Sequence, residues 1–276
     1  MSESVSAWRV RKTQAAKRLL RSIFGTHTLR AADGIEEALG ERLLALDGGL
    51  GLFRLVHLLA AVSSAPRLDS ILSVGSGEGL HETYLAHKFP GAAVCGVDLR
   101  DETVGLPLPN LRFLRGDLLD PKVAATLPTS DFVYSVECLE HIDDDAKVFA
   151  GMAARLRPEG LLYLEVPFAS EAEQADPQIC RRELENHEHV RPGYDIRRLT
   201  KLANENGLTV LHIAGAFWYP IQPMVWLAHL HLGEPAIRSH WRTFLEVARL
   251  DLREGVPAHR AEATAIKLLA RKPGRR

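Results

Sequence analysis

A chain of 276 residues, 46% hydrophobic and 25% charged, has the make-up of an ordinary soluble globular protein, which argues against disorder and against a membrane-spanning fold. Lys+Arg of 34 against Asp+Glu of 35 leaves a net charge of −1, so the chain as a whole does not attract a polyanion and nucleic acid is not an expected partner. Cys95, Cys138 and Cys180 are odd in number and lack metal-ligand spacing, which suggests neither a disulfide framework nor a zinc site. With no secretory pattern in the first residues, a cytoplasmic location is the expectation.

The first 30 residues carry seven basic side chains, with Trp8, Leu19, Leu20, Ile23 and Phe24 at helical spacing. This reads as a basic amphipathic helix, packed on the main body or making a peripheral contact with anionic lipid. Residues 34–63 read as two further helices separated at Asp47-Gly48-Gly49, so 1–65 is expected to be a helical extension. From Pro66 onward short β-rich runs alternate with helical ones, the texture of a parallel sheet built from βα units. Strands are expected at 70–74, 93–98, 111–115, 131–136, 161–166, 208–214 and 264–270, with helices at 78–88, 144–156 and 195–206. The Arg157-Pro158-Glu159-Gly160 run closes the second helix and Gly207 the third. A helical insertion is expected at about 217–260. The longest apolar stretches, 50–62 and 217–232, are interrupted by Arg54 and His57 and by Pro220, Gln222 and Pro223, so no transmembrane segment is expected.

Four strand ends carry the residues that suggest chemistry. ILSVGSGEG at 71–79 is a strand entering a glycine turn, followed at once by a helix. Gly75, Gly77 and Gly79 let the chain turn tightly and let a ligand approach the backbone, although such turns also arise for close packing alone. A dinucleotide fingerprint would place its third glycine at position 80, which is Leu80. AVCGVDLR at 93–100 ends its strand in Asp98, whose carboxylate can accept from both hydroxyls of a ribose, in NAD and S-adenosylmethionine sites alike. In NLRFLRGDLLD at 110–120, Asp117 can accept from an adenine amino group and Leu118 can pack on the ring; a turn-forming Gly-Asp is the ordinary alternative. SDFVYSVECLEHIDD at 130–144 is a strand that closes into a carboxylate-rich loop, at the end of the sheet where ligands of open α/β folds sit.

Taken together, SVGSGEG, GVDL, GD, DFVYSVECLEHIDD and LRPEGLLYLEVP resemble the successive motifs of class I S-adenosylmethionine-dependent methyltransferases, over residues 66–276. The likeness is to the small-molecule branch with a Leu-Glu-His fourth motif, which also has a stretch like His189-Val190-Arg191. It implies a Rossmann-like α/β domain, with helices on both faces of a seven-stranded, mostly parallel sheet whose last strand, ATAIKLLARKP, runs antiparallel. It also implies S-adenosylmethionine as cofactor, with Gly75, Ser76 and Gly77 on the methionine moiety, Asp98 and Leu99 on the ribose, Asp117 and Leu118 on the adenine, and Ser135 on the sulfonium side. Ser73 departs from the family's usual Asp, and Ser76 from its common Cys or Ala.

Methyl transfer from a sulfonium needs mainly alignment and a dry site, with a base only where the acceptor must lose a proton. His141 is the first candidate base, its alternative role being to fix the loop; Glu137 could bind an amine acceptor or orient a histidine. His187, Glu188 and His189 lack a distant third partner and read as a polar lid or loop-to-helix junction, so no metal is expected. His189, Tyr194 and Trp218 are candidate substrate contacts, and FWYPIQPMVWLAHLHL at 217–232 either walls an apolar substrate or packs on the sheet or on the second subunit of a homodimer. The reading is methylation of a small-molecule metabolite, at oxygen before nitrogen or carbon. A catalytically inactive methyltransferase-like binding or scaffold protein and a nucleic-acid methyltransferase are the alternatives.

Overall fold

The computed structural model describes residues 50–100, 107–216 and 263–274. Two compact units are distinguished along the chain, Met1–His57 with Ala216–Val256, and Leu58–Gly215 with Pro257–Arg276. Most of the expected N-terminal extension, the insertion at 217–260 and Trp218 lie outside the described residues.

In chain order the described elements are α1 (Leu50–Val62), β1 (Ser70–Val74), α2 (Leu80–Lys88), β2 (Ala93–Asp98), β3 (Leu111–Arg115), α3 (Pro121–Thr126) and β4 (Ser130–Val136). A 3-10 turn at Leu139–His141 leads to α4 (Asp145–Arg155), β5 (Leu156–Pro167), α5 (Glu171–Gln174), α6 (Pro177–His187), α7 (Ile196–Glu205), β6 (Thr209–Ala216) and β7 (Ala265–Arg271). The seven strands form one sheet in the order β3-β2-β1-β4-β5-β7-β6. Pairing is parallel from β3 through β5, and β7 is antiparallel to β5, with Leu164 opposite Leu268. The expected sheet, with its reversed last strand, is the one observed.

The sheet is covered on both faces, so the central strands β1 and β4 are buried nearly throughout, their serines included. Side chains alternate along a strand. In β4, Phe132 and Tyr134 join Leu58, Val62, Leu85 and Ala86 from α1 and α2; Val133, between them, joins Phe149, Met152, Leu199 and Leu202 from α4 and α7. Among the described residues no helix is long and apolar enough to cross a membrane.

Two departures from the expected elements have identifiable causes. The helix expected at 144–156 ends at Arg155, and Arg157-Pro158-Glu159-Gly160 belongs to a long β5 rather than to a terminating loop. Leu156 is already extended and pairs with Ser130, after which the β4–β5 register shifts and Phe132 faces Leu161. Helices α3, α5 and α6 were not expected, yet each starts on a local cap: Asp120 and Asp176 accept from the amides of Lys122 and Gln178 ahead of a proline at N1 or N2, and Ser170 with Glu173 forms a capping box. These are the ordinary helix-start signals.

Candidate active site

The strand order reverses direction between β1 and β4, the place where open α/β sheets leave a crevice beyond the carboxyl ends of their strands. A cleft of about 580 Å³ lies there, lined from the ends of β1 to β4 by Gly75, Gly77, Asp98, Asp117, Glu137 and His141, among others. That volume is within the usual range for a small-molecule site.

The glycine turn is held in left-handed backbone at Gly75, Gly77 and Gly79, with φ of 77°, 50° and 76°. A Cβ on Gly75 would sit 2.4 Å from the Cys138 Sγ and 2.6 Å from its Cβ, whereas one on Gly77 would meet nothing within 4 Å. Position 75 is therefore glycine because the loop after β4 presses on it, and position 77 borders open cleft. Gly79 is the N-cap of α2 and does not line the cleft; neither does Ser76.

Asp98 is fixed by two backbone amides: Gly77 N donates to Oδ2 at 2.8 Å and Arg100 N to Oδ1 at 2.9 Å. A carboxylate offers about four acceptor positions, so each oxygen keeps one lone pair available on the cleft side. Asp117 uses Oδ1 to accept from Leu119 N at 2.8 Å, leaving its other oxygen available. Leu118 is nearly buried, Leu99 is exposed, and both line the cleft.

The loop after β4 contributes Glu137, Cys138, His141 and Ile142 to the cleft wall. Glu137 adopts φ 49°, a left-handed conformation costing about 1–3 kcal/mol in a non-glycine residue, and its amide donates to the Glu165 carbonyl at 2.9 Å. Burial, followed by the nearby Glu140 charge, pushes the Cys138 thiol up to about 12, so it is a packed thiol and not a nucleophile at neutral pH.

Three expected contacts stand elsewhere. Ser135 is fully buried on β4, one residue short of the strand's end at Val136, and does not line the cleft. Tyr194 is also fully buried; it accepts from Arg191 Nη1 at 3.1 Å, and burial raises its hydroxyl well above the ordinary range. His189 is not on the cleft wall; its place there is taken by His187 and Glu188.

Sequence reasoning missed Arg191 and Arg100. Arg191 donates to the carbonyls of Leu139 and Ile142 at 2.7 Å each and of Asp143 at 2.9 Å, clamping the loop that carries His141. Arg100 donates to Glu188 at 3.4 Å, and both line the cleft. That bridge is solvent-exposed and worth little by itself. The His-Val-Arg motif held the signal for Arg191, but its carbonyl partners lie some 50 positions earlier and no local pattern shows them.

Comparisons with known proteins identify the family. A trans-aconitate 2-methyltransferase of Deinococcus radiodurans is 30% identical over 139 residues, covering 49% of this chain and 44% of that protein. A trans-aconitate 2-methyltransferase of Escherichia fergusonii is 26% identical over 117 residues, 41% of this chain and 44% of that protein. The chain thus spans less than half the length of these curated relatives. The solved structure of Haemonchus contortus phosphoethanolamine N-methyltransferase 2 in complex with S-adenosyl-L-methionine superposes with a TM-score of 0.55 at 16% identity, over 86% of this chain and 56% of that one, a likeness of fold. The family model described as a methyltransferase domain matches residues 46–213, which is more than half of the sequence, and the chain belongs to that family.

Proposed function

We propose that this protein is an S-adenosylmethionine-dependent methyltransferase acting on a small-molecule acceptor, with an oxygen nucleophile favoured. The observation that carries the reading is the anchored Asp98 carboxylate, which lines the cleft beside Gly77 and keeps one lone pair per oxygen for two neighbouring ribose hydroxyls. The residues present fit this cofactor. The open space at Gly77 admits the methionine portion, Asp98 and Leu99 would hold the ribose, and Asp117 with Leu118 the adenine. When bound, the cofactor supplies an electrophilic methyl group on a sulfonium.

The chain's own residues would provide alignment and exclusion of water, which together can account for about 7–11 kcal/mol of a barrier. Glu137 and His141 line the same cleft and are placed to orient an acceptor or receive the proton of a hydroxyl as it attacks. The curated relatives named for trans-aconitate support a small, oxygen-bearing acceptor.

The test is Asp98→Ala. Loss of two hydrogen bonds to a charged acceptor, each worth about 1.5–3 kcal/mol, should weaken S-adenosylhomocysteine binding at least thirtyfold, or about 2 kcal/mol, while the variant, which also loses the contacts to the Gly77 and Arg100 amides, still unfolds cooperatively at a lower midpoint. Unaltered affinity would remove the ribose assignment.

A further inference from the structure

We propose that Glu140, His141 and His189 form a binding site for a divalent transition-metal cation at the edge of the cleft. In sequence, His189 has no distant ligand partner; in the structure the loop after β4 supplies two. One ligand atom from each of the three side chains lies within 4.8 Å of the other two. His141 Nε2 is 3.9 Å from Glu140 Oε1, and the two imidazoles meet edge to face at 4.8 Å. Metal–ligand bonds of about 2.0–2.2 Å put two ligands of one tetrahedral ion about 3.4 Å apart, so small side-chain rotations bring the three onto one ion.

The surroundings of the imidazoles match a ligating role. A metal-bound histidine characteristically gives its other ring N–H to a carbonyl or carboxylate, which fixes the tautomer and aims the lone pair. His141 Nδ1 stands 3.3 Å from the Glu188 carbonyl, and its Nε2 is the nitrogen on the Glu140 side, 3.9 Å from Oε1. His189 Nδ1 stands 3.5 Å from the Glu183 carboxylate, an ion-pair distance and not a hydrogen bond, and its side chain is 12% exposed. The two segments are tied together, since Val190 N donates to the Glu140 carbonyl at 2.9 Å and Arg191 holds the flanking carbonyls of Leu139 and Ile142. The backbone segments that carry the ligands are therefore held together before any ion arrives.

Two nitrogens and one carboxylate oxygen suit zinc or a neighbouring first-row ion and leave at least one coordination position open. His141 lines the cleft, so that position borders the acceptor space. Resting on the methyltransferase reading, this names the acceptor class: a molecule that presents a hydroxyl or carboxylate oxygen to the ion. His141 then acts as a ligand and not as the base.

The experiment is calorimetric titration of the EDTA-stripped full chain with zinc chloride, repeated with cobalt(II) while following its visible d–d absorption. Saturable binding of one ion per chain is expected, with cobalt bands of a four- or five-coordinate site. Removing one ligand in His189→Ala or His141→Ala should weaken binding at least about tenfold, while His212→Ala on β6 should bind as the parent does. No saturable one-to-one uptake, or unchanged uptake in both ligand variants, would overturn the proposal. S-adenosylhomocysteine titrated into the same stripped protein reads the cofactor site separately. Its binding without metal uptake sinks the metal site alone, and its failure to bind sinks the methyltransferase reading.

Discussion

A single methyl group at position 75 would collide with Cys138 in a backbone conformation that side chains rarely adopt. Gly75→Ala is therefore expected to cost about 2–4 kcal/mol, from left-handed strain together with overpacking, and to push the Cys138 segment into the cleft. Gly91→Ala is the control, since a Cβ there meets nothing within 4 Å and the backbone φ is ordinary; it should change stability by no more than about 0.5 kcal/mol. Thermal unfolding of both variants checks the pair, and equal midpoints would contradict the packing argument. At this scale the sequence was most legible where backbone geometry restricts the residue type, as at Gly75, Gly77 and Asp98. Ser135, which the motif suggests as a cofactor contact, is buried on β4, and the cleft wall beyond that strand is built by Glu137 and Cys138.

At the scale of elements, Asp131 joins three strands near their starts. Its Oδ2 accepts from the amides of Asp69 at 2.8 Å and Ser70 at 3.1 Å, and Arg157 from the β5 irregularity donates to both carboxylate oxygens. Burial opposes ionisation, but the backbone amide and Arg157 outweigh it, so the carboxyl titrates below its ordinary value. A folded pKa lower than the unfolded one, about 3.9, means the contribution is complete above that pH and is lost as pH falls through the folded value. Asp131→Asn should lower stability by about 1–2 kcal/mol at pH 7, and the gap from the parent should narrow below about pH 4. Thermal midpoints from pH 7 to pH 3 test this; a gap that stays constant would remove the carboxylate's role. The same contact explains why the RPEG run reads as a helix terminator but folds as strand. Pro158 does stop the helix, while the tie between Arg157 and Asp131, 26 positions apart, draws the segment into the sheet. Tertiary partners of that kind, like the carbonyls gathered by Arg191, leave no periodic signature.

Across the whole molecule, the strands followed from alternating βα texture and motif succession, whereas their order in the sheet, β3-β2-β1-β4-β5-β7-β6, came only from the fold. The parts of the site that depend on distant segments meeting, Arg100 with Glu188 and His141 with His189, emerged only from the fold. The methyltransferase reading requires the crevice at the β1–β4 switch point to accept a sulfur nucleoside. The first measurement is calorimetric titration of the purified chain with S-adenosylmethionine, S-adenosylhomocysteine and NAD. Saturable binding of both sulfur nucleosides and none of NAD is expected; binding of NAD alone, or of no ligand, would overturn the reading.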